Sequence, residues 1–184
     1  MPFSIPQMKD FVPEKLRPWI IVVMVIIVQL SGGVYMAAAG EMVGSTALLQ
    51  EDIMMAGYAS LVGMALFFPI MFRLRSAVRP KTAFGVCFAV LIAANLISMY
   101  TTSVPLLVGV SLVAGFFRMW ATLECNSTIQ LWLTPTRDLS VFFSYIYLVV
   151  NSCIQLSGIA AIYFSVWASW HYMHWFIIAL LIVA

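Results

Sequence analysis

The chain has 184 residues, of which 64% are hydrophobic and 9% are charged, and its formal net charge is +2 at pH 7. A soluble globular domain carries about 25% charged residues, so this composition excludes an ordinary soluble domain and predicts a protein that lies in lipid. A net charge this small does not indicate a nucleic-acid partner. Cys87, Cys125 and Cys153 each stand alone in a different apolar run, which predicts neither a disulfide framework nor a metal site.

The apolar runs predict membrane-spanning helices. A spanning helix needs about 20 mostly apolar residues, and five segments have roughly that length or more. The predicted spans are residues 18–39, 53–72, 82–100, 104–132 and 139–166, with an incomplete span at 172–184. We therefore expect an all-α membrane bundle over residues 18–184, preceded by a cytoplasmic N-terminal arm at residues 1–17. Because the last run is too short to cross a bilayer, we interpret the chain as a fragment truncated within its sixth helix.

The distribution of lysine and arginine orients these spans. Basic residues outside the apolar runs occur only before the first span and in every second connection after it. They are Lys9, Lys15 and Arg17, then Arg73, Arg75, Arg79 and Lys81, then Arg137. Short loops rich in Lys and Arg stay on the cytoplasmic side of a membrane, so the pattern predicts a multi-pass membrane protein with its N-terminus in the cytoplasm.

Two ionisable residues, Arg118 and Glu124, lie inside the fourth span. Ionisable groups at membrane depth are costly, and they mark a pathway or a paired structural site. A spacing of six residues separates the two by about 120° around a helix and about 9 Å along it, so we expect each to find its partner on another helix. Arg118 is always charged and therefore needs water or a carboxylate. Glu124 is either a proton carrier or a static counter-ion.

Amide and hydroxyl side chains recur along one side of three spans, which favours a shared polar interior. The candidates for a substrate cavity are Gln29 on the first span and Tyr147, Asn151 and Gln155 on the fifth. Polar residues also join transmembrane helices without any ligand, so cavity lining and helix contact both stay open. We expect no enzyme, because the candidate acid, base and nucleophile groups are scattered. No cofactor or metal is indicated.

Several stretches carry a resemblance to a known family. They are Pro69 to Lys81 (PIMFRLRSAVRPK), Gly115 to Arg118 (GFFR), Thr134 to Arg137 (TPTR) and Trp170 to Phe176 (WHYMHWF). Together with the cytoplasmic N-terminus, they resemble the N-terminal half of a major facilitator superfamily transporter, most nearly the bacterial drug:proton antiporters with fourteen spans. At the antiporter motif of the fifth span, residues 158–163 keep one glycine and lack the proline of that family.

The resemblance implies a secondary transporter of a bacterial cytoplasmic membrane that exports small amphipathic or drug-like molecules in exchange for protons. It links Arg118 to proton coupling or cavity charge, and the position of Glu124 inside the fourth span makes this residue the candidate proton carrier. The loop gate on the cytoplasmic side would use Arg73, Arg75, Arg79 and Lys81. The expected partners are the lipid bilayer, the substrate, protons and the C-terminal half of the same protein. The alternatives are a metabolite or organic-anion symporter or facilitator, and a non-transporting membrane scaffold or assembly protein.

Overall fold

The computed structural model describes residues 13, 16–31, 34–45, 48–133 and 139–184, and every regular element within them is helical. The helices are α1 (Arg17–Leu30), α2 (Val34–Ser45), α3 (Gln50–Phe67), α4 (Met71–Ala77), α5 (Pro80–Tyr100), α6 (Val104–Leu133), α7 (Leu139–Trp167) and α8 (Trp170–Val183). The predicted arm at residues 1–17 lies almost wholly outside the described residues, as does Arg137.

Four helical segments are long and apolar enough to cross a membrane, at residues 50–77, 80–100, 104–130 and 143–167. Two shorter apolar helices occupy residues 19–30 and 170–183. At most 39% of the hydrophobic window of each long segment is buried inside the bundle, and large apolar side chains dominate the rest of the surface. Exposed apolar surface of this extent is typical of contact with lipid. The fold is an all-helical, candidate multi-span membrane protein.

The first apolar run is not one continuous helix. α1 ends just before Ser31, whose hydroxyl donates to the carbonyl of Val28 at 2.6 Å, and the chain is helical again in α2. The sequence between the two helices contains Gly32 and Gly33, and glycine costs a helix about 1 kcal/mol relative to alanine. The structure therefore differs from the predicted span over residues 18–39, because hydrophobicity alone does not report helix continuity.

The second span continues past the end of its apolar sequence. Asp52 accepts a backbone hydrogen bond at 3.1 Å at the start of α3. Pro69 lies in a 3-10 turn that joins α3 to α4, and the helix then includes Arg73 and Arg75. The helical segment therefore extends beyond the predicted span at residues 53–72, and these two basic side chains belong to a helix end rather than to a loop.

The helices α3 and α6 pack with direct backbone contact. Gly63 on α3 lies against the carbonyl of Leu112, and Gly115 on α6 lies against the carbonyl of Ser60. A methyl group at either glycine would overlap that carbonyl oxygen. Small residues permit such close approach between helices in a membrane. Because α6 also contacts α1 and α5, it forms the centre of the bundle and positions the polar side chains described next.

Candidate functional site

Arg118 lies near the middle of α6 and is only 8% exposed. Its Nη2 donates to the sulfur of Met64 on α3 at 2.9 Å, and its Nε is buried without a hydrogen-bond partner. Among the described residues, no carboxylate lies within 4.0 Å of the guanidinium. A thioether is a weak acceptor, so the part of the chain that the structure describes leaves this charge without a counter-ion.

A small polar pocket of about 30 Å³ lies beside Arg118, and we call it the serine pocket. It is enclosed by the end of α1 and by α3, α5 and α6. The polar residues that line it are Ser31, Ser60, Asn95, Ser98, Ser111 and Arg118. Ser111 and Arg118 are seven residues apart, which is about two helical turns, so both side chains share one face of α6.

Gln29 joins α1 to α6 through a buried hydrogen-bond chain. Its Nε2 donates to Oγ1 of Thr122 at 2.9 Å, and this hydroxyl donates to the backbone carbonyl of Arg118 at 2.8 Å. Gln29 is 6% exposed. The structure thus places this predicted cavity residue in a contact between helices, one turn from the buried guanidinium.

A larger cleft of about 280 Å³ lies between α1, α6 and α7, and we call it the α7 cleft. The polar residues that line it are Gln29, Thr122, Asn126, Ser127, Gln130 and Tyr147, and the remaining lining is apolar. The Oδ1 atom of Asn126 is buried without a hydrogen-bond partner. Small-molecule sites have this composition, with a mainly apolar wall and a few polar groups that orient the ligand.

The four predicted cavity residues do not come together. Gln29 and Tyr147 line the α7 cleft, whereas Asn151 and Gln155 are exposed on α7 and are not part of its lining. Consecutive residues of a helix point about 100° apart. The wall of the cleft includes Tyr147, Val150 and Ile154, so a residue one position later than Val150 or Ile154 turns away from it.

Glu124 pairs with a basic residue of the adjacent helix end. It is 5% exposed, and its Oε1 lies 3.7 Å from Nε of Arg75. Glu124 therefore contacts α4 and not Arg118, as the spacing of the two residues on α6 predicts. The other basic residues of this segment, Arg73, Arg79 and Lys81, are exposed. The ion pair joins the centre of the bundle to the segment that the charge pattern assigns to the cytoplasmic side.

Two polar contacts of α8 were not foreseen from the sequence. The Nδ1 atom of His174 lies 2.9 Å from Oδ1 of Asn95 on α5, and both side chains are buried. Trp170 is also buried, and its Nε1 donates to Oγ of Ser45 at 2.6 Å. The sequence contains one signal for the first of these contacts. Asn95 lies within an apolar run, and an amide at membrane depth requires a hydrogen-bond partner. Tryptophan near a helix end normally indicates the membrane interface instead.

No family model, no curated protein and no solved structure matches this chain. Among the described residues there is also no group of three or more His, Cys, Asp or Glu side chains that could hold a metal ion. The class that the fold defines is therefore a helical, candidate multi-pass membrane protein, and any narrower assignment depends on the chemistry of the two cavities and of the ion pair.

Proposed function

We propose that this chain is the N-terminal six-helix half of a secondary transporter of the major facilitator type, in a bacterial cytoplasmic membrane. It would exchange protons for small amphipathic or drug-like molecules by alternating access. The observation that carries the proposal is the α7 cleft, which is mainly apolar and contains the unpartnered amide oxygen of Asn126. Transporters of this class bind substrate near the bilayer midplane, where the two halves meet.

The composition of the α7 cleft supports an amphipathic substrate. Apolar side chains such as Met119, Ile146 and Val150 would contact the hydrophobic part of the molecule. The hydroxyl of Tyr147 and the amide of Asn126 are available for its polar part. A volume of about 280 Å³ lies just below the 300–1,000 Å³ that ligand pockets occupy. A second half would enlarge the cleft and complete its wall.

The ion pair between Arg75 and Glu124 supports a coupling step. A proton on Glu124 would cancel its charge and remove the attraction to Arg75, whose Nε lies 3.7 Å from the carboxylate. The basic end of α4 could then separate from α6. In this scheme Glu124 carries the proton, Arg75 forms the gate with Arg73, Arg79 and Lys81 beside it, and release of the proton closes the cytoplasmic side.

The test is Glu124→Gln in the full chain, which keeps the shape of the side chain and removes its charge. The probe is a cationic amphipathic dye, which an exporter accumulates inside everted membrane vesicles. We expect this proton-driven accumulation to fall at least about tenfold, a barrier change of about 1.4 kcal/mol. Equilibrium binding of the dye should change less than about twofold, because Glu124 does not line the α7 cleft.

The matched control is Glu41→Gln, which removes an exposed carboxylate from α2. It should leave both dye efflux and dye binding unchanged. Unchanged efflux in Glu124→Gln would remove Glu124 from the mechanism. Absence of both binding and efflux in the unmodified protein would instead favour the non-transporting scaffold. The organic-anion alternative has less support, because the guanidinium of Arg118 lines a pocket of about 30 Å³, too small for such a substrate.

A further inference from the structure

The serine pocket joins a fixed positive charge to a set of buried hydroxyl groups. Arg118 and Ser111 on α6 are 8% and 1% exposed, and Ser98 on α5 is 3% exposed. The hydroxyl of Ser111 and the Nε of Arg118 are both buried without a hydrogen-bond partner. Buried polar groups are almost always paired, so two orphaned donors that line one pocket indicate a ligand that accepts hydrogen bonds.

The surroundings of Arg118 indicate the charge of a ligand that would bind here. Among the described residues that line the pocket none is acidic, and the one hydrogen bond from the guanidinium goes to the neutral sulfur of Met64. A buried charge without a counter-ion is strongly unfavourable in a low dielectric. Water could accept the hydrogen bonds, but it would leave the charge uncompensated.

The size of the pocket limits the anion. A volume of about 30 Å³ is above the roughly 10–15 Å³ that a single water molecule needs and far below the roughly 300–1,000 Å³ of ordinary ligand pockets. Chloride is a single atom, somewhat larger than a water molecule, and fits such a pocket, whereas carboxylates, sulfate and phosphate contain several heavy atoms. A guanidinium has only hydrogen-bond donors, and a hydroxyl group also donates when its hydrogen points into the pocket. Both kinds of group can therefore donate to a bound anion.

We propose that the serine pocket binds one chloride-sized monovalent anion, which acts as the resident counter-ion of Arg118. The anion accepts hydrogen bonds from Nε of Arg118 and from the hydroxyl of Ser111, with Ser98 and Ser60 close by on α5 and α3. It therefore joins three helices through one charge. The site does not depend on the proposed transport function, because anion binding to the purified protein is measured without substrate or proton gradient.

The experiment follows thermal unfolding of the purified full chain in detergent while chloride replaces gluconate at constant ionic strength. A ligand that binds only the folded state raises the unfolding midpoint. At chloride concentrations about one hundredfold above Kd, we expect a rise of about 5–11 °C. Bromide should act like chloride, whereas sulfate and acetate should give no rise. Equilibrium dialysis with radioactive chloride should give one bound ion per chain.

Two variants locate the site. Ser111→Ala removes the orphaned hydroxyl and should weaken chloride binding about tenfold. Ser157→Ala is the matched control, because Ser157 is also fully buried but its hydroxyl donates to the carbonyl of Ile154 in its own helix. This control should bind chloride like the unmodified protein. A midpoint that is independent of chloride, or equal chloride affinity in Ser111→Ala and the unmodified protein, would overturn the proposal and leave water as the occupant.

Discussion

At the scale of single residues, Thr122 connects two features of the site. Its hydroxyl accepts from Gln29 on α1 and donates to the carbonyl of Arg118 one turn earlier on α6. One small side chain thus fixes the amide of α1 relative to the helix that carries the buried charge. In a membrane such hydrogen bonds contribute about 0.6 kcal/mol on average and about 1.7 kcal/mol at most.

A double-mutant cycle on Gln29→Leu and Thr122→Val measures this contact. We expect a coupling free energy of about 0.6–1.7 kcal/mol, because each single variant already removes the hydrogen bond. The measurement is reversible unfolding in mixed detergent micelles. Thr128→Val serves as the control, since the hydroxyl of Thr128 donates to the carbonyl of Glu124 in its own helix. Similar coupling of Gln29→Leu to both threonine variants would contradict a specific contact.

The sequence predicts those features of the site that follow from the geometry of one helix, but not those that depend on contacts between helices. The six-residue spacing excludes a pair between Arg118 and Glu124, and this follows from helix geometry alone. The actual partners, Met64 and Arg75, come from α3 and α4, and no pattern along the chain identifies them. Assigning Asn151 to the cavity required the rotation of α7 about its axis, which the packing of neighbouring helices decides.

At the scale of helices, the contact between α3 and α6 depends on two glycines. Gly115→Ala should destabilise the bundle by about 1–3 kcal/mol, because the new methyl group would overlap the carbonyl of Ser60 and push the backbones apart. The measurement is the free energy of unfolding in mixed micelles. Gly63→Ala should act similarly, since its methyl group would overlap the carbonyl of Leu112.

The matched control for this prediction is Gly109→Ala, on the same helix α6. Nothing lies within 4 Å of a Cβ built at Gly109, and alanine favours a helix over glycine by up to about 1 kcal/mol. We therefore expect this variant to be as stable as the unmodified protein or slightly more stable. If Gly115→Ala behaved in the same way, the close approach of α3 and α6 would be disproved.

The positions of α5, α6 and α7 agree with the predicted spans within about two residues at each end. Each of these runs is bounded by charged or polar residues, so composition alone fixes where the helix can lie. The first run lacks such boundaries in its interior, yet α1 ends at Leu30, inside that run. Hydropathy therefore predicts which segments enter lipid better than it predicts where a helix is interrupted.

At the scale of the whole molecule, the alternation of basic connections predicts which end of the bundle lies in the cytoplasm. Ser76 on α4 and Thr102 between α5 and α6 are both exposed, so single cysteines there report on opposite ends. A membrane-impermeant maleimide should label Ser76→Cys only in everted vesicles and Thr102→Cys only in intact cells. The native cysteines are buried and should react slowly in both.

This labelling experiment contains its own control, because each variant is the reference for the other. Label on Ser76→Cys in intact cells would reverse the orientation and move the Arg75–Glu124 pair to the external side. The coupling scheme would then lose its cytoplasmic gate. The composition of the chain predicts lipid as the surrounding medium, whereas the identity of a substrate depends on the shape and lining of the α7 cleft.

The backbone contact at Gly63 and Gly115 has a consequence for how the protein would come apart. Because no side chains separate the two helices there, neither a lipid tail nor a detergent chain can enter between them. Regions that open last retain their amide hydrogens longest. The middle of α3 and α6 should therefore form the slow-exchanging core of the protein, and strong detergents should release α1, α2 and α8 while this pair is still joined.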